Sequence, residues 1–166
     1  MRHKRTEMDE LQELVRLHRM GTGYREVARL LAISPNTERQ YREILAAEGL
    51  RAAEHEFTAV PPLLDDIVFH AQQAAEKSLK AFLTWHQVPF RKTHNLEELG
   101  EQCLGLDSEL KAVIDRAVPL TEYAWKFRYP GDVETPAEDE ARRALADARA
   151  VNAAVLHRLP TDVRSD

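Results

Sequence analysis

Between Asp65 and Trp85, apolar and small side chains recur at helical spacing on two adjacent stripes. Ile67, Ala71, Ala74, Ser78, Phe82 and Trp85 make one stripe, and Val68, Ala75, Leu79 and Leu83 make the other. Two neighbouring stripes predict a helix with a broad buried face, at the centre of a packed bundle. The small residues among them let neighbouring backbones approach closely. His70, Gln73, Lys77 and Lys80 fall on the remaining arc. They read either as a basic and amide edge with a binding role, or as a solvated face on which Glu76 pairs with Lys80 one turn on.

Downstream, His86 to Lys92 reads as a loop containing Pro89, and Asn95 with Glu98 makes a capping box for a short helix from Leu96 to Cys103. After a break at Gly105 and Asp107-Ser108, Leu110, Val113, Ile114 and Ala117 keep helical spacing. Pro119 lies inside that pattern and predicts a kink before Leu120, Tyr123, Ala124 and Phe127. Arg128-Tyr129-Pro130-Gly131 ends the segment. Thr135-Pro136-Ala137-Glu138 reads as a second capping box, opening a last helix with Leu145, Ala148, Val151, Val155 and Leu159 inward and Pro160 closing it. Four main helices with short connections predict an all-α, up-down antiparallel four-helix bundle over residues 50–160, with 161–166 a frayed tail.

The first 49 residues follow a different grammar. Asp9 to Met20 is an amphipathic helix, Gly21-Thr22-Gly23 breaks it, and Tyr24 to Leu31 is a second helix. Ser34 suits an N-cap and Pro35 the first helical position. A third helix begins there and exposes Asn36, Thr37, Arg39, Gln40 and Arg42. This is the layout of a trihelical helix-turn-helix segment, and those side chains are of types that read base edges or grip phosphates. Ala32 stands where the turn usually has Gly, and Glu38 where a buried Val or Ile is common. The alternative reading is therefore three helices that only pack.

Beyond Gly49, only Leu50 to Val60 is left to form a first bundle helix before Pro61-Pro62, roughly half the length of the helix it must pair with. Two arrangements are open. Ser34 to Val60 is one continuous helix, with Gly49 inside it at about 1 kcal/mol relative to Ala; or Gly49 is a C-cap between two hinged units. In the continuous arrangement Tyr41, Ile44 and Leu45, and at the margin Glu48, help cover the bundle, which puts access of Arg39 and Arg42 to DNA in question.

Composition narrows the field. Hydrophobic residues make up 43% and charged residues 31%, as in an ordinary soluble domain. No apolar run is long enough to span a bilayer and no h-region follows the basic N-terminus, so a cytoplasmic location is expected. The net charge of −5 is uneven: residues 1–50 carry nine Lys/Arg against eight Asp/Glu, and the rest fourteen against twenty. Attraction to nucleic acid must then come from a local patch. The single cysteine, Cys103, is expected to be a buried helical thiol. No metal-ligand spacing, glycine-rich phosphate loop or nucleophile–base arrangement is present, and neither a metal nor a cofactor is expected.

FHAQQAAEKSLKAFL (69–83), KTHNL (92–96) and YAWKFRYPGD (123–132) closely resemble the three blocks of the HEPN family (higher eukaryote and prokaryote nucleotide-binding), in the same order and at similar spacing. The resemblance implies a helical bundle that dimerises, and a partner nucleotidyltransferase in a toxin–antitoxin-like module. It also maps a ligand-binding groove for a nucleotide or RNA onto His70, Gln73, Lys77, Lys80, His94, Arg128 and Tyr129. Cations beside an aromatic edge suit a phosphate or a nucleobase. His94 and Arg128 also have plainer readings, as a loop hydrogen bond and a helix cap. Many members resemble metal-independent ribonucleases with an Arg and a later His separated by four to six intervening residues. That pair is absent here, so no intrinsic RNA cleavage and no catalytic residue is expected.

Residues 14–50 resemble the helix-turn-helix of a family of insertion-sequence transposases, without the acidic catalytic core that would follow. The expectation is a non-catalytic HEPN protein. The rival readings are a DNA-binding regulator using Asn36, Thr37, Arg39, Gln40 and Arg42, and a fusion remnant without activity.

Overall fold

The inward positions of the first long helix explain why it does not stop at Gly49. In a computed structural model of the chain, which describes Glu13, Arg16, Leu17, Glu26, Arg29, Leu30, residues 35–126 and residues 134–160, α1 runs unbroken over Pro35–Glu56. Arg39, Arg42, Ala46 and Ala53 lie on its buried side, with Gly49 and Leu50 half-buried among them. That spacing of three and four residues is a helix seam, and the seam faces α2, Leu64–Trp85. The two helices are the same length, 22 residues each. The half-helix missing from residues 50–60 is thus supplied by residues 35–49.

Three contacts fix the antiparallel register. The Arg39 guanidinium lies 5.0 Å from the Trp85 ring centre, Gly49 sits against Ala74 and the His70 carbonyl, and Glu56 comes within 3.0 Å of His70. At the crossing, a Cβ on Gly49 would lie 3.4 Å from both Ala74 Cβ and the His70 carbonyl oxygen, which is ordinary contact. Gly49→Ala is therefore expected to fit and to stabilise by up to about 1 kcal/mol through helix propensity. Urea denaturation checks the sign. A loss of stability would mean either that the helix crossing is packed too closely for a methyl group or that the backbone at Gly49 is a left-handed cap.

Both apolar stripes of α2 are buried, apart from Trp85 at its end, which is 39% exposed and covered on one side by Arg39. Polar side chains are buried with them: Ser78 Oγ bonds the Ala74 carbonyl and accepts 3.0 Å from Asn152 Nδ2 of α5, Glu138–Arg158. Leu145, Ala148, Val151, Val155 and Leu159 all face inward as the spacing requires. The helix begins at Glu138 with Ala137 at the N-cap and no side-chain cap, so the Thr135 capping box does not form. Buried Pro136 starts the helix later, and Glu138, Asp139 and Glu140 offset the dipole of its first turn instead.

Between α2 and α5 lie α3, Leu96–Leu104, a 3-10 turn over Ser108–Leu110, and α4, Lys111–Ala117. Asn95 caps α3 through bonds from the backbone N–H of Glu97 and Glu98, but Glu98 turns to Arg91 rather than closing the box. At Pro119 the α-helix tightens to 3-10 over Val118–Ala124, the form taken by the expected kink. Cys103 is buried with its thiol pushed up to about 12 by burial, beyond nucleophilic use.

The described residues are all helical or loop, in one helical bundle, and none of their helices is long and apolar enough to cross a membrane. The expected helices at 9–20 and 24–31 lie almost wholly outside the described residues; the six positions described there, Glu13, Arg16, Leu17, Glu26, Arg29 and Leu30, are helical. The frayed tail expected at 161–166 also lies outside them.

Candidate functional site

A third stripe of α2 carries the site. Gln72, Glu76, Lys80 and Thr84, four residues apart, are all buried, the most exposed of them Lys80 at 8%. The Glu76–Lys80 pair is real but not solvated: its two side chains are 1% and 10% exposed. Lys80 Nζ donates to Glu76 Oε1 at 2.7 Å and to the Thr93 carbonyl at 2.8 Å. His94 Nδ1 donates to Glu76 Oε2 at 2.9 Å, and Gln72 Nε2 donates to the same oxygen at 3.1 Å and to the His94 carbonyl at 3.2 Å.

Burial pushes the Glu76 carboxyl upward, but the His94 hydrogen bond and the charges of Lys80, Lys77 and His94 outweigh it, so its pKa lies below the usual range. An ionised Glu76 accepts only, which fixes Nδ1 of His94 as the donor. The ring is 38% exposed, and its Nε2 has no hydrogen-bond partner among the described residues. The loop that carries it is tied down on its other side as well. Thr93 Oγ1 accepts from the Asn95 amide at 3.1 Å, and Thr121 Oγ1 accepts from the Leu96 amide at 3.0 Å. The plain reading of His94 is therefore reversed: its own carbonyl is the acceptor, while the ring is clamped to a buried carboxylate.

The seven predicted residues do not all meet. Lys80 and His94 share Glu76; Gln73 donates to Gln72 Oε1 at 2.6 Å; Lys77 is half-buried with its charge acting on Glu76. His70 lies roughly 9 Å back along the axis, as six residues of helix require. It belongs to a separate group at the start of α2, with its Nδ1 3.0 Å from Glu56 Oε1 but not aligned as a hydrogen bond. Burial lowers the pKa of His70, and burial with the nearby charge of Asp66 raises Glu56 to about 7. Arg128 and Tyr129 lie outside the described residues.

Of the DNA-reading set, Arg39 and Arg42 are buried at 0% and 2%, Thr37 and Gln40 are half-buried, and the side chain of Asn36 lies outside the described residues. The residues that sequence reasoning missed are Gln72 and Glu76, and the four-residue spacing of Gln, Glu, Lys and Thr alongside the second apolar stripe was the available signal. Among the described residues, no group of three or more His, Cys, Asp or Glu is placed to hold a metal ion.

Residues 45–158 match the family described as HEPN domain. No curated protein and no solved structure matches the chain.

Proposed function

The chain belongs to the HEPN domain family, and from that premise we propose that it is a non-catalytic binding protein whose 92–95 loop takes a phosphate of a nucleotide or RNA. The observation that carries this reading is the clamp on His94. A buried, ionised Glu76 holds one ring nitrogen and leaves the other toward the surface, and the charge of Lys77, next to Glu76 on the same helix, acts on that carboxylate. In the imidazolium form the outer ring nitrogen is a donor, and a pre-set donor of that kind, with the Lys77 charge on the adjoining helix, suits a phosphate oxygen. The reading extends to an up-down four-helix topology that dimerises, to a small nucleotidyltransferase as partner, and to a toxin–antitoxin-like setting in the cytoplasm. Membership of the family and the helical bundle support these extensions.

Thermal unfolding with ATP, GTP or an oligouridylate tests it. At ten times Kd, binding adds about 1.4 kcal/mol, a shift of roughly 3–5 °C for a chain of this size. His94→Gln keeps a donor toward Glu76 but loses the outer ring nitrogen; combined with Lys77→Ala, it is expected to abolish the shift. No shift with any of the three probes at millimolar concentration would refute the reading.

The DNA-regulator reading draws no support from the geometry of α1. Arg39 is turned onto Trp85 and Arg42 onto Phe90, so neither guanidinium is presented to a base edge or a phosphate.

A further inference from the structure

The family match begins at residue 45, yet the helix that completes the bundle begins at Pro35. Two side chains from the unmatched stretch reach the far end of α2 and the loop after it. Arg39 lies over Trp85, and Arg42 lies 5.2 Å from the ring centre of Phe90. Phe90 belongs to the loop that continues into His94, and Lys80 Nζ sits 5.7 Å from the same ring centre. One aromatic ring is therefore in contact range of two cations from different helices. The second of those cations is the one that bonds Glu76 and the Thr93 carbonyl.

We infer that Arg42 is a positioning residue for the His94 site, acting through Phe90 and Lys80, so that residues 35–44 are a working part of that site rather than a separate module. The inference rests on the proposed phosphate-binding reading and adds to it where the loop's arrangement comes from. A guanidinium stacked on a ring and withdrawn from water is among the stronger contacts of its kind. Arg42 is 2% exposed, and Phe90 is half-buried. Holding Phe90 fixes the start of the loop, Lys80 fixes Thr93, and Glu76 then finds His94 Nδ1 at bonding distance. Without the Arg42 contact, the loop retains the bonds to α2 but loses its anchor on α1. If the bound arrangement is then populated a tenth of the time, apparent affinity falls about tenfold.

The test uses the full chain carrying Arg42→Met, Arg42→Lys or Phe90→Leu, with two readouts. Nitrogen-15 chemical shifts of the His94 ring report whether Nδ1 remains the protonated, hydrogen-bonded nitrogen, with no ligand present. ATP titration reports affinity. Arg42→Met and Phe90→Leu are expected to average the two ring nitrogens and weaken ATP about tenfold, while Arg42→Lys, which keeps a cation over the ring, restores both. Phe90→Leu leaves α1 intact, so it decides the matter if Arg42→Met fails to fold. Unchanged His94 shifts in Phe90→Leu would overturn the inference. Absence of ATP binding in the parent protein would instead strike the proposed function, leaving the ring shifts to judge the positioning role.

Discussion

Glu76→Leu is expected to destabilise the protein by about 3–5 kcal/mol, because removing one partner of a buried ion pair leaves the other charge without compensation. Lys80 would keep only the Thr93 carbonyl among its bonded oxygens on this network, and His94 Nδ1 and Gln72 Nε2 would lose their shared acceptor. Urea denaturation at neutral pH measures the loss as a lower midpoint at unchanged slope. The double variant Glu76→Leu, Lys80→Met is expected to recover most of it, since both charges then leave together, and the cycle isolates their coupling. By contrast, the Arg91–Glu98 pair, with Arg91 78% exposed, should contribute less than about 1 kcal/mol when Glu98 is replaced by Ala. A loss under 1 kcal/mol for Glu76→Leu would show that the carboxylate is not enclosed as described.

The same group sets a pH dependence. Its folded pKa lies below the ordinary 4.5, so the stability it contributes is complete above that value and fades as pH falls toward the folded pKa. Glu56 works in the opposite sense. Its folded pKa is raised to about 7, so burying it favours the protonated form, and its contribution falls as pH rises through 4.5 to 7. Stability measured against pH should therefore lose ground at the acid end in the parent protein, and this acid-side loss should flatten in the Glu76→Leu variant.

Which parts of this arrangement could be read from the chain follows from how side chains signal burial. The stripes of α2 and α5 were legible because Ile, Val, Leu, Phe and Ala have one good place to go, and Ile67, Leu79, Phe82, Val151 and Val155 are all there. The Asn95 cap was legible for a related reason: a short acceptor side chain before a helix satisfies amides that nothing else can reach. Arg39 and Arg42 were not legible as core positions. Burying a guanidinium requires partners to be brought to it, and the rings of Trp85 and Phe90 come from between forty-five and fifty residues away, as the antiparallel pairing dictates. Glu76 escaped for the same reason. Its partner one turn along suggests a solvated pair, and only the folding of the 92–95 loop over it converts that pair into an enclosed one.

Arg39→Ala provides the sharpest test of whether α1 is one bundle helix or a recognition helix fused to one. Arg39 is fully buried, with its guanidinium 2.5 Å from Glu43 and 5.0 Å from the Trp85 ring centre. Its removal forfeits a desolvated cation–π contact and an ion pair with a Glu43 carboxylate that is only 15% exposed. The expected loss is about 2–4 kcal/mol. Arg51→Ala, which breaks a pair in which Arg51 is 74% exposed, should change stability by less than about 1 kcal/mol. Fluorescence distinguishes a local from a general effect. The chain has two tryptophans, Trp85 and Trp125, so a Trp125→Phe background reports on Trp85 alone. In that background, Arg39→Ala is expected to shift the emission of the folded protein to longer wavelength, as water takes the place of the guanidinium over the ring. A recognition helix standing clear of the bundle predicts neither effect: unfolding and Trp85 emission would both be unchanged. If both are unchanged, residues 35–44 are not part of the bundle. If both move, a loss of DNA binding in an Arg39 variant would be a consequence of unfolding and no sign of base recognition.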